Sequence, residues 1–125
     1  MQTGEHHHMY QSLYSEMAAE TADHIRANER AAFERSIHLL ELAKARGRGS
    51  RESVEALLFA NRLWSVLLED LAADGNDLPD TLKASLISIG IWILRRAEDI
   101  RQGRSEDFSS LIDVSRTIKN GLERL

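Results

Sequence analysis

The sequence predicts an all-α protein, an antiparallel four-helix bundle with a short N-terminal arm. Three observations carry this. Glycine and proline are sparse, seven and one in 125 residues, and they fall where they divide the chain into four long segments. Each segment repeats apolar residues at three- and four-residue spacing, the period of one helical face. The connections are short, which favours antiparallel neighbours.

The first helix is expected from about Thr21 to Arg46. Thr21 can cap it and Asp23 suits the positive end of the helix dipole. Ile25, Ala32, Phe33, Ile37, Leu40 and Ala43 form its apolar stripe, and Gly47 stops it. The second runs from about Arg51 to Ala73, with Ser50 as N-cap and Leu57, Ala60, Trp64, Leu67 and Leu71 as its seam. The third runs from about Pro79 to Gln102. Proline suits the first helical position because its missing N–H would have no partner there. Its seam is Leu82, Leu86, Ile89, Ile93, Ala97 and Ile100, and Gly103 ends it. The fourth runs from about Glu106 to Glu123, capped by Ser105, with Phe108, Leu111, Ser115, Ile118, Leu122 and Leu125 on its seam.

The stretch SLISIGIWIL, residues 85–94, tests this assignment. Isoleucine and glycine are poor helix formers, so local propensity alone reads as a strand. The i, i+3/i+4 spacing nevertheless runs through it from Leu82 to Ile100, and burial overrides propensity. Nor does it span a membrane: Lys83 and Arg95 flank a stretch only about half the ~20 residues a spanning helix needs. Gly90 in its middle marks a place where another helix approaches closely.

Composition sets broad limits. The chain is 42% hydrophobic and 29% charged with a net charge of −4. That is an ordinary globular balance, and its acidic sign argues against direct nucleic-acid binding by the surface as a whole. With no cysteine, disulfides, thiolate metal sites and thiol nucleophiles are excluded. The N-terminus has no basic region followed by an apolar run, so no secretory signal is expected. Residues 1–8, MQTGEHHH, read as a tag remnant or flexible extension, and residues 9–125 as one domain.

Helices two and three carry more apolar surface than one seam uses. Phe59, Leu63 and Val66 lie outside the second seam, and Ile87, Ile91, Trp92 and Leu94 outside the third. Either the neighbouring helices cover them, or they form a groove for a partner's amphipathic helix or a homodimer face. Antiparallel topology gathers Lys44, Arg46, Arg48, Arg51, Arg101 and Arg104 at one pole. The loop KARGRGSR there looks like an RNA contact through Arg46, Arg48 and Arg51, but dipole complementarity in a solvated loop is the favoured account.

No motif for catalysis is present: no nucleophile elbow, phosphate-binding loop or H-E-x-x-H. His24 and His38 sit about four turns apart on one helix, too far to share a metal. We therefore expect no catalytic residues, metal site or cofactor, and read the chain as a binding module rather than an enzyme.

Several stretches resemble the FlaF family, flagellar biosynthesis regulators of alphaproteobacteria. They are MYQSLYSE from Met9, AAFERSIHLL, LFANRLWSVLLEDLA, NDLPDTLKASLISIGIWILRRAEDIRQG and FSSLIDVSRTIKNGL. The resemblance implies a small cytoplasmic helical protein that binds flagellin before export and supports its controlled synthesis and secretion. It also implies action with FlbT, a regulator of flagellin translation. Flagellin's terminal segments are amphipathic and disordered before assembly, so the surplus apolar surface would hold one of them. On this expectation the partner-binding residues are Phe59, Leu63, Val66, Ile87, Ile91, Trp92 and Leu94, with Tyr10 and Tyr14 of the arm capping that surface or displaced from it. The alternatives are direct contact with flagellin mRNA through Arg46, Arg48 and Arg51, or an adaptor that binds FlbT alone.

Overall fold

Capping chemistry places the helix ends in the computed structural model, which describes residues 29–123. The described part of α1 covers 29–46. It ends at Gly47, whose φ of +96° suits glycine and whose N–H donates to the Ala43 carbonyl at 2.7 Å. The Ser50 hydroxyl then caps α2 (Arg51–Ala72), accepting from the Ser53 N–H at 3.1 Å and donating back to the Gly47 carbonyl at 2.7 Å.

Past α2, the Asn76 side chain accepts from the Leu78 N–H, and the Lys83 ammonium donates to the Asn76 carbonyl at 2.6 Å. This ties the turn to α3 (Asp80–Arg101). The helix starts one position later than expected, at Asp80, and Pro79 is the cap residue rather than the first helical residue. Its extended ψ of 142° keeps it outside the helix while its carbonyl accepts from the Lys83 N–H. At the far end Gly103 (φ +80°) closes a Schellman motif, with Arg104 N–H on the Asp99 carbonyl and Gly103 N–H on that of Ile100.

The fourth helix, α4, is Phe108–Glu123, two residues shorter at its start than expected. Ser105 is not its cap. The Ser105 hydroxyl is engaged by the Asp107 N–H in a tight turn, and the Asp107 carboxylate takes the capping position. It accepts from the Ser110 N–H at 3.0 Å and from the Ser110 hydroxyl at 2.5 Å. Those two bonds, with Arg96 nearby, hold the Asp107 carboxyl below the usual carboxylate range.

The helices pack as an antiparallel ring, and each neighbouring pair has a marker. Phe33 of α1 meets Trp64 of α2 edge to face, centroids 5.7 Å apart. Gly90 of α3 lies against Trp64 and Leu68 of α2. Arg96 of α3 reaches Asp107 at the start of α4. Glu34 and Glu41 of α1 pair with Lys119 and Arg116 of α4. The Arg48 guanidinium lies beside Gly103, so the α1–α2 and α3–α4 turns share a pole.

Phe33, Ile37, Leu40, Ala43, Ala56, Leu57, Ala60, Trp64, Leu71, Ile93, Ala97, Ile100, Phe108, Leu111 and Ile112 are buried. The expected α3 seam holds only over its second half. Leu82 is 37% exposed, and Leu86 and Ile89 are half-buried. Counting back from Gly90 explains this: Leu82 lies level with the α2–α3 turn, where no helical wall of α2 covers it. On α4, Ser115 is buried at its seam position and donates to the Leu111 carbonyl at 2.6 Å. Thr21, His24, Ile25, Leu125 and the expected N-terminal arm lie outside the described residues.

Candidate functional site

Helical geometry distributes the surplus apolar residues over different flanks. Phe59, Leu63 and Val66 follow one another at four and three residues and so share a stripe of α2. That stripe faces α1, because the Arg35 guanidinium lies over the Phe59 ring, 5.6 Å from its centroid. Phe59 and Leu63 pack on the edge of the core, whereas Val66 is 65% exposed. Trp92 lies on another side of α3, beneath Arg96, the residue that reaches Asp107. It also packs against the core.

Ile87 and Leu94 are one turn before and one turn after Gly90, so they stand beside the α2 contact, with Ile91 just outside them. Ile87 and Leu94 are half-buried and Ile91 is 42% exposed. Leu68, which meets Gly90, continues along α2 through Ser65 and Asn61 to Leu58, at three- and four-residue steps. Leu58 is 49% exposed, and Val54 one turn further on is 64% exposed. The outer side of the α2–α3 seam therefore carries Ile87, Ile91 and Leu94 beside Leu68, while Leu58 stands further along α2, level with Glu98 when the antiparallel helices are counted from Gly90.

Sequence reasoning missed Leu58 and Val54. Their four-residue spacing was a signal, but polar Asn61 and Ser65 interrupt the stripe beyond them. Arg62 follows Leu58 by one turn and Arg95 follows Ile91 by one turn, so a guanidinium borders these apolar residues on each helix. Both are exposed and make no hydrogen bond or ion pair among the described residues.

The remaining sequence candidates lie elsewhere. Arg46, Arg48 and Arg51 are exposed at the pole of the α1–α2 turn. Arg51 pairs with Glu55 at 3.2 Å, and two of the neighbouring cations are also matched, Arg101 with Glu98 and Arg104 with Asp99. A depression between α1 and α4 is lined by Lys44, Ser109, Asp113 and the Glu41–Arg116 pair. His38 is exposed, and no group of three or more histidine, aspartate or glutamate side chains is arranged to hold a metal among the described residues. No described helix is long and apolar enough to cross a membrane. Tyr10 and Tyr14 lie outside the described residues.

Fold and flank together define a small four-helix module that presents an apolar, arginine-bordered seam. The family model for the flagellar protein FlaF matches residues 10–122. The chain belongs to that family and is a flagellar protein. No curated protein and no solved structure matches it.

Proposed function

We propose that this protein is a flagellin-binding regulator of flagellar biosynthesis, chaperone-like and without catalysis, that acts with FlbT in the cytoplasm. The observation that carries the reading is the outer α2–α3 seam, where Ile91 stays exposed beside half-buried Ile87 and Leu94, and Leu58 and Val54 stay exposed further along α2. An amphipathic terminal segment of flagellin would lay its apolar face there. The gain is about 25 cal/mol per Å² of apolar surface removed from water, less the cost of ordering the segment. Holding that face keeps it from pairing with another flagellin.

The test is retention of purified flagellin, full length and truncated at either end, on immobilised protein, with FlbT added in a second arm. Retention that is lost with one truncation, and lost again in the variant Ile91→Asp, is the expected result. Failure to retain any form overturns the flagellin reading, and FlbT retention in its place identifies an adaptor.

A further inference from the structure

We propose that the face between α3 and α4 is a docking groove for an amphipathic helix of a partner that carries lysine or arginine at one end. The proposal does not rest on the flagellin reading, because this face lies on the other side of α3 from Ile91. Arg96 reaches Asp107 of α4. Trp92, Ile89, Ser85 and Leu82 precede Arg96 by four, seven, eleven and fourteen residues, so they share its side of α3. On α4, Arg116 and Lys119 turn to Glu41 and Glu34 of α1. Val114, Ile118 and Gly121 lie roughly opposite those two around the helix and so face α3, with Leu122 beside them.

The same seams close the bundle at the Gly103 pole but not here. Ile93, Ala97, Ile100, Phe108 and Leu111 are buried, whereas Ile89, Trp92, Val114, Ile118 and Leu122 are half-buried and Leu82 is 37% exposed. A methyl group on Gly121 would meet nothing within 4 Å, so space is open beside it. The apolar row is continuous. Between Lys83 and Arg95, α3 carries no charged residue, and Lys119 of α4 is turned away to Glu34. Arg96 lies over the Trp92 ring and closes one end.

The other end is acidic. Glu69, Asp70, Asp74, Asp77 and Asp80 are exposed around the α2–α3 turn, and none forms an ion pair among the described residues. The ammonium nearest in sequence, on Lys83, donates to the Asn76 carbonyl instead. Charge complementarity therefore selects the occupant: an apolar helical face to fill the row, and cations to lie over the tip. Two copies of this face joined side by side would bring both acidic tips together and repel.

The test uses the full chain and fluorescein-labelled synthetic peptides about 18 residues long, five helical turns. One has leucine and alanine on one face, glutamine on the other and two terminal lysines. The second has glutamates for the lysines, and the third has the first one's composition scrambled so that no face forms. In anisotropy titrations at low salt the lysine peptide should bind about tenfold more tightly than the glutamate peptide, with the gap narrowing as salt is added. The scrambled peptide should not bind. Leu82→Asn combined with Gly121→Gln should weaken the lysine peptide about tenfold and leave Tm close to that of the parent, since neither side chain is buried. Asp74→Asn with Asp77→Asn should weaken it about threefold. Glu106→Gln with Asp113→Asn, the same change in net charge elsewhere, should not.

Ile91→Asp should leave peptide binding unchanged, so this site and flagellin retention on the α2–α3 seam are read separately. Equal affinity for the lysine and glutamate peptides overturns the proposal. So does failure of the full chain to bind the lysine peptide, whether the groove is shut or filled by the chain's own N-terminal residues. Binding lost with Ile91→Asp and kept in the Leu82–Gly121 variant overturns it too, by placing the peptide on the other face. A dimer in sedimentation that the Leu82–Gly121 variant dissociates makes a second copy the occupant and also overturns it.

Discussion

Replacing Gly90 by alanine probes the contact on which the α2–α3 arrangement rests. A methyl group at Gly90 would stand 2.7 Å from Trp64 Cε3, 2.9 Å from Leu68 Cδ2 and 3.1 Å from Trp64 Cζ3. Carbon pairs are comfortable at about 3.5–4.0 Å. Two effects oppose each other. Alanine in a helix interior is favoured over glycine by about 1 kcal/mol, and overpacking a tight contact costs about 1–3 kcal/mol. Leu68 is half-buried and can turn its methyl aside, but Trp64 is buried and held edge-on to Phe33. The axes of α2 and α3 must then part by about 0.8 Å to restore contact distance.

The clash prevails, and we expect a net loss of about 1–2 kcal/mol. That lowers Tm by about 3–8 °C for a chain of this size, measured by circular dichroism with urea unfolding to check that the m-value is unchanged. Gly121→Ala is the comparison, because a methyl there meets nothing within 4 Å. It should leave stability unchanged or raise it by a few tenths of a kcal/mol. Gly90→Ala that stabilises as much as Gly121→Ala would refute the close approach of the two helices.

Ser50→Ala removes the α2 cap and should cost about 1 kcal/mol in urea unfolding. Ser53→Ala should be neutral or stabilise by up to about 1 kcal/mol, because the Ser53 hydroxyl is buried with no hydrogen-bond partner. Hydrogen bonds from Arg101 and Gln102 hold the Glu98 carboxyl down to about 2, so its NMR titration midpoint should lie there rather than at the ordinary 4.5. Since the folded value is the depressed one, this contribution to stability is complete above about 4.5 and fades as pH falls toward 2. Glu98→Gln should remove that slope, and a midpoint near 4.5 would refute the cluster. Leu58→Asp and Ile91→Asp should leave Tm close to that of the parent and abolish flagellin retention. Ile93→Ala, at a buried position, should cost about 2–5 kcal/mol.

Much of the fold is legible in the order and spacing of the residues. Gly47 and Gly103 punctuate the chain where positive φ is needed, Ser50 caps α2, and the stripe of Phe33, Ile37, Leu40 and Ala43 is buried as its spacing requires. Gly90 inside a β-branched run signals a close neighbour, and Trp64 supplies it. These features are local. A cap, a left-handed turn and an i, i+4 repeat depend on residues within one or two turns, so the sequence alone determines them.

Tertiary structure decided the rest. Ser105 and Asp107 are both good caps, and only the turn that engages the Ser105 hydroxyl leaves the helix end to Asp107. Periodicity gives each side chain an angle about its own axis, but not the rotation of that axis against its neighbours. The sequence therefore grouped Phe59, Leu63 and Val66 with Ile87, Ile91 and Leu94. Packing turned the first three toward α1 and Arg35, and set the others beside the contact that Gly90 makes with Trp64 and Leu68. Coverage also depends on what lies level with a residue, which is why Leu82 and Ile93, on one seam of one helix, end at 37% and 1% exposed.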